Sequence, residues 1–277
     1  MLDLHPIQYA KPWAIFWAAA VLAHGYMDYS FFRIWKRWSR GTKTGAASTR
    51  NFRRVLRIWI AEVLFQRQLF GLSSTRWAIH MFIFWGFLSL ALLSLTTCMV
   101  AALGMLDVYG AARDFFSSGR GHIFVKVWGD LSGLILLIGL TAASVRRFLL
   151  RPSQQITEQT DAVLLLFLLW LTLSGFFLEG LRLSLVSPDL ARYSFVGRLF
   201  RPPGSYTIAQ LQPWLKACWI VHAFSGVALL VYLPHSKLLH SISAPLVIAC
   251  NAAAEFERED IYWPDISKHR ATGSRKD

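Results

Sequence analysis

The sequence predicts an all-α integral membrane protein, a bundle of five transmembrane helices with its N-terminus outside and its C-terminus in the cytoplasm. Hydrophobic residues make up 55% of the 277 and charged residues only 16%, a balance too apolar for an ordinary soluble domain. The apolar residues run in blocks of about twenty, the length that spans a hydrocarbon core of about 30 Å, and show neither strand alternation nor an amphipathic stripe. Lysine and arginine are shared unevenly: Arg33 to Arg76 holds eleven, Arg146 to Arg151 three and the chain from Lys237 onward six, whereas 104–122 and 184–212 hold two and three. The positive-inside rule assigns the first group to the cytoplasm and so fixes the orientation.

The first span is read at 12–32 and is retained, because Met1 to Pro12 lacks the basic start and the small-residue cleavage site of a signal peptide. A basic cytoplasmic loop, 33–76, follows. Within it a flexible stretch from Gly41 to Ser48 leads to Asn51, which is suited to cap an amphipathic helix setting Phe52, Val55, Leu56, Trp59, Val63 and Leu64 against Arg53, Arg54, Arg57 and Glu62. That helix is expected at the membrane surface, its arginines among anionic lipid headgroups; a plain basic linker and a docking site for a cytoplasmic partner are equal alternatives. Spans at 77–103, 123–145 and 161–183 come next. The segment 184–212 contains Pro188, Pro202, Pro203 and Gly204 and reads as an ordered outer loop. The fifth span, 213–240, is expected to continue as helix past Pro234. Residues 1–250 then form one membrane domain and 251–277 a solvated cytoplasmic tail. The chain is accordingly read as a multi-pass protein of the inner (cytoplasmic) cell membrane. Its basic residues are accounted for by topology, so nucleic acid is not expected as a partner.

Chemistry concentrates in the last span. His222 and His240 are eighteen residues apart, which on one continuous helix is five turns, so both imidazoles would leave the same face about 27 Å apart. Neutral imidazole is a strong axial ligand for haem iron, and a buried polar side chain in a lipid-facing helix is costly unless something satisfies it. His80, one turn into the second span from the cytoplasmic side, matches the depth of His240, and the two are expected to hold one haem b. His222 would hold a second in the outer leaflet. Its best partner by sequence is His122, with His24 as runner-up, and a quinone contact is an equal reading for His122. His235 is rotated away from the ligand face and reads as a non-ligand.

Two acids, Asp130 and Glu179, fall inside spans, where ionisable groups are functional candidates by default. For Glu179 an ion pair with Arg182 at i+3 is at least as good a reading. Asp130 shares a span with His122 and Lys126, and these three are candidate quinone contacts on the outer side, where quinone carbonyls need donors within reach of water. A cytoplasmic quinone site near Arg146 and Asp161 is the competing placement. Cys98, Cys218 and Cys250 form no C-x-x-C motif, so non-covalent haem fits this chain and an iron–sulfur relay of its own does not.

The pattern from His222 through Pro234, Ser236, Lys237, Leu238 and His240 to Pro245 resembles the final helix of the respiratory nitrate reductase gamma subunit family of membrane cytochromes b. Leu173-Ser174-Gly175-Phe176-Phe177-Leu178-Glu179-Gly180-Leu181-Arg182, the basic stretch before the second span, and Arg146, Arg147 and Arg151-Pro152 look like the branch found in heterodisulfide reductase and sulfite-reduction-linked complexes. The resemblance covers roughly residues 10–250. It implies haem b ligated by histidines of the second and fifth spans, a membrane quinone as substrate, and a cytoplasmic iron–sulfur subunit resembling a heterodisulfide reductase catalytic subunit as partner. The nitrate reductase relatives carry two histidines ten residues apart on the second span; here His80 is followed by Leu90, which has no atom to ligate iron.

The expected function is that of a b-type cytochrome subunit of a respiratory oxidoreductase complex. It would pass electrons between membrane quinone and a cytoplasmic iron–sulfur subunit, and would not be catalytic alone. A haem-free membrane anchor is the alternative. A transporter ranks below it, since no repeated halves with interrupted helices are visible.

Overall fold

The computed structural model describes residues 10–41, 52–105, 119–150, 159–185 and 191–253. The expected Asn51 cap, most of the flexible stretch before it and the acidic tail lie outside the described residues. Every regular element among the described residues is helical: α1 (Ala10–Gly41), α2 (Phe52–Trp59) with a π-helical extension to Leu64, α3 (Arg67–Leu72), α4 (Ser74–Met105), α5 (Gly119–Ser144) with a π-helical end at Val145–Leu150, α6 (Gln159–Leu183), α7 (Ile208–Tyr232) and α8 (His240–Ala253).

Four helices among the described residues are long and apolar enough to cross a membrane, at Ser74–Val100, Gly121–Leu150, Gln159–Leu183 and Ile208–His235. They correspond to expected spans two to five. Large apolar side chains such as Leu92, Val163 and Trp170 are exposed at 55%, 60% and 50%, the pattern of helices whose solvent is hydrocarbon rather than water. α1 spans 32 residues, about 48 Å, but His24, Asp28 and Arg33 interrupt its apolar run, and it does not join the four.

One expectation is overturned. The last span does not run as helix through His240. α7 stops at Tyr232, a 3-10 turn covers Leu233–His235, Ser236 is extended (φ −104°, ψ 170°), and a second 3-10 turn, Lys237–Leu239, precedes α8. Pro234 has no N–H to donate, and the Ser236 amide and hydroxyl both turn back to the Leu233 carbonyl, at 3.2 and 3.0 Å. That local satisfaction ends the ladder where a kinked helix would have had to re-form it. The five-turn arithmetic relating His222 to His240 therefore does not apply.

The chain divides into two compact units, Met1–Asp28 with Ile79–Ser236, and Tyr29–Ala78 with Lys237–Asp277. In the first, α4 to α7 form an up-and-down series fastened by glycines. A Cβ on Gly86 would stand 2.5 Å from the Leu136 backbone nitrogen and one on Gly139 2.8 Å from that of Ile83, so α4 and α5 touch backbone to backbone. Gly133 receives the Phe176 ring of α6, and Arg147 pairs with Asp161 at 3.1 Å where α5 turns into α6. Phe16 of α1 meets Trp219 and Phe224 of α7 edge-on, with centroids 5.4 and 6.3 Å apart.

Of the expected outer loop, the described residues 191–200 pack partly into the bundle, whereas 201–210 are mostly exposed. Ala191, Ser194 and Val196 are buried, and a 3-10 turn at Gly197–Phe200 stacks Phe200 on Phe176 with centroids 5.5 Å apart. The fit needs Gly180, where a Cβ would lie 2.4 Å from the Phe200 carbonyl oxygen.

In the second unit α2 and its extension pack on α8, burying Ile58 and Val63. Phe52 and Leu56, on the apolar face expected at the membrane surface, are 70% and 42% exposed. Gln66, at φ 48°, supplies the left-handed residue that turns the chain into α3, and the Trp77 indole N–H closes the corner on the Phe65 carbonyl at 2.7 Å.

Candidate functional site

Of the predicted ligands, His222 has the best-defined surroundings. It is partly buried on α7 and faces the small-residue step Ser174-Gly175 of α6. Its Nδ1 is 2.9 Å from Ser174 Oγ, and the same hydroxyl lies 3.0 Å from the Leu171 carbonyl oxygen. Gly175 presents bare backbone to the ring; a Cβ there would be 3.1 Å from Cε1. One turn further along α7, on the same face, Gly226 has no atom within 4 Å of where its Cβ would stand. A ring held at Nδ1 leaves Nε2 as the nitrogen that could ligate a haem iron.

Contacts along the bundle fix relative levels. Gly86 meets Leu136 and Gly129 meets Leu93, so Leu90 stands beside the stretch at Gly133; Gly133 meets Phe176, next to the Ser174-Gly175 step that touches His222. At the level of His222 the second span therefore offers Leu90. His80, ten residues back along α4, is about 15 Å away along the axis. His122 is displaced the other way. His122, eleven residues before Gly133 on α5, lies about 16 Å from that level along the axis. His24, on α1, has its Nδ1 against the Ala20 carbonyl at 2.8 Å. Phe16, about 12 Å earlier on the same helix, is the α1 residue that meets Trp219 and Phe224 around His222.

His240 opens α8 in the second unit, its Nδ1 against the Lys237 carbonyl oxygen. A carbonyl only accepts, so in both His24 and His240 it is Nδ1 that donates. His235 is the reverse case. Its Nε2 is 2.8 Å from the Tyr26 hydroxyl, so the nitrogen a haem would need is already engaged.

Lys126 and Asp130 are both occupied. Lys126 Nζ lies 3.2 Å from Glu179 Oε1; Arg182 reaches Glu179 Oε2 at 3.4 Å and the Ser194 hydroxyl donates to Oε1 at 3.1 Å. The ion pair read for Glu179 is thus present and larger than read, since it joins three elements. Asp130, 4% exposed, accepts the backbone N–H groups of Val196 and Gly197 at 2.7 and 3.4 Å. Both acids fasten the 191–200 segment onto α5 and α6. Ser174, Gly175 and Ser194 carried no individual role in the sequence; the only signal was that Ser174 and Gly175 sit inside the Leu173–Arg182 motif. Among the described residues no group of three or more His, Cys, Asp or Glu is placed to hold a bare metal ion.

The profile of the HdrE family, described as the E component of dihydromethanophenazine:CoB--CoM heterodisulfide reductase, matches residues 56–248. The protein of that description from Methanosarcina barkeri is 29% identical over 82% of this chain and 76% of its own, and that of Methanosarcina acetivorans 27% over 73% and 68%. An EtfAB:quinone oxidoreductase from Syntrophomonas wolfei is 24% identical over 61% of this chain but only 24% of its own length. No solved structure matches.

Proposed function

The chain belongs to the HdrE family of heterodisulfide reductase components, and from that premise we propose that it is a b-type cytochrome subunit passing electrons between a lipid-soluble quinone-type carrier and an iron–sulfur protein on the cytoplasmic side. The observation that carries the reading is His222, held by Ser174 and facing the bare backbone of Gly175 in the interior of an apolar helix series. Two relatives support the carrier class. One is named for dihydromethanophenazine and the other for quinone, both apolar two-electron carriers. The absence of a C-x-x-C motif assigns the iron–sulfur chemistry to a partner, and the Methanosarcina relatives are themselves named as one component of a larger reductase.

In this reading α1 is a fifth span, the N-terminus is outside, and His80 with His240 would hold one haem b near the cytoplasmic face while His222 would hold a second. A haem supplies a one-electron step between a two-electron carrier and a one-electron cluster. The chain's residues orient the imidazoles and keep the path in hydrocarbon. The carrier is proposed to react at the outer end, near His122. Because His122 is about three turns from the level of His222, a carrier contact suits it better than axial ligation, and Lys126 and Asp130 frame the site through the fastened 191–200 segment. Protons would then exchange outside, and each electron moving inward would work against the membrane potential at about 2.3 kcal/mol per 100 mV.

Pyridine haemochrome quantitation and reduced-minus-oxidised spectra of the purified chain test this. One haem per chain is expected, lost in both His80→Ala and His240→Ala, and a second, lost in His222→Ala, completes the reading. A single haem unaffected by His222→Ala would leave only the cytoplasmic site; a folded but colourless chain would leave the membrane-anchor reading. Quinol-driven haem reduction should be impaired in His122→Ala at unchanged haem content, and unimpaired rates would move the carrier to the end marked by Arg146 and Asp161.

A further inference from the structure

We propose that Ser174 is a positioning residue that selects the ligating tautomer of His222; this rests on the reading that His222 holds a haem. The Ser174 hydroxyl has one proton and two contacts, the Leu171 carbonyl oxygen at 3.0 Å and His222 Nδ1 at 2.9 Å. A carbonyl oxygen only accepts. Both contacts are therefore hydrogen bonds only when the serine donates to Leu171 and His222 donates its Nδ1–H to the serine oxygen. The alternative, with serine donating to Nδ1, gives up the Leu171 bond and puts the proton on Nε2.

The two arrangements give Nε2 opposite chemistry. With Nδ1–H donated, Nε2 exposes a lone pair and acts as a ligand; with Nε2 protonated, the same ring is only a hydrogen-bond donor and binds no iron. In an apolar interior an arrangement that satisfies every polar group is favoured over one that loses a hydrogen bond. Gly175 completes the device. Its missing side chain lets the ring sit against α6, since a Cβ there would stand 3.1 Å from Cε1 and 3.7 Å from Nε2. The bond also gives imidazole some imidazolate character, which favours ferric over ferrous iron.

The test uses the full chain in detergent, with haem content, optical and low-temperature EPR spectra, and redox titration as readouts. Ser174→Ala should keep the fold. It should weaken haem retention at the His222 site about tenfold and raise its midpoint potential, a tenfold loss of ferric preference being about 59 mV for one electron. Ser174→Cys, close in volume but a poor acceptor, should shift the same way. Ser174→Thr keeps an oxygen able to bond the carbonyl one turn back and should restore the wild-type potential. If Ser174→Ala and Ser174→Cys both leave content, spectra and potential unchanged while His222→Ala removes a haem signal, the positioning role is refuted and the haem reading stands. If either lowers thermal stability but the remaining holoprotein keeps the wild-type potential, Ser174 is structural and the proposal fails. If His222→Ala removes no haem signal, the reading beneath it fails first.

Discussion

Replacing Asp130 by alanine is expected to lower folding stability by about 2–4 kcal/mol, since each buried donor left without an acceptor costs about 1–3 kcal/mol. Asp130 Oδ2 receives the Val196 and Gly197 amides at 2.7 and 3.4 Å at the start of the Gly197–Phe200 turn. Alanine leaves both donors in a region where Val196 and Ser194 are 5% and 1% exposed, with water poorly placed to replace the carboxylate. Loosening that turn also releases the Phe200 stack on Phe176 and the Ser194 bond to Glu179. Asp130→Asn retains a carbonyl oxygen and should recover most of the loss. Thermal unfolding in detergent, with limited proteolysis between Ala191 and Thr207, reads the effect. An Asp130→Ala chain as stable as wild type but unable to accept electrons from quinol would instead assign the carboxylate a direct role in proton exchange.

That residue shows where sequence reasoning reaches its limit. The long apolar helices were legible because membrane thickness sets run length, and the boundaries of α4, α6 and α7 fall within a few residues of the expected spans at their better-defined ends. An acid inside such a run is equally visible, and the default reading is function. What the sequence cannot display is that its partners come from a segment 66 and 67 residues later in the chain, folded back into the bundle by contacts that need glycine at 180. The same holds for His222. Its motif was legible, whereas Ser174 lies 48 residues earlier and meets it only because α6 and α7 pack side by side. Leu90 was visible as a departure from the nitrate reductase pattern, and the glycine contacts set it at the level of His222. The break after Tyr232 was half legible: Pro234 announces a disturbed helix, but whether the chain kinks or stops depends on Ser236 bonding back to Leu233.

The close approach of α4 and α5 leads to the other large effect, in Gly86→Ala. A single added methyl would stand 2.5 Å from the Leu136 nitrogen and 2.7 Å from its Cα, and backbone cannot rotate aside as a side-chain tip could. The helices must separate or shift, at an expected cost of about 1–3 kcal/mol or more for overpacking. Gly139→Ala strains the same interface at Ile83 and Phe82, one turn away, so the double variant should be non-additive: once the helices have parted for one methyl, the second meets less resistance. Because α4 carries His80, the displacement should also reduce haem retained at the proposed His80 site, coupling a packing change to a spectroscopic readout without touching a ligand. Gly25→Ala is the control. Its Cβ would meet nothing within 4 Å, and helix propensity alone favours alanine by up to about 1 kcal/mol. Melting temperature and haem content measured together on the three single variants and the double decide the matter. A Gly86→Ala chain that melts with wild type and keeps its full haem complement would mean that α4 and α5 stand further apart than backbone contact requires.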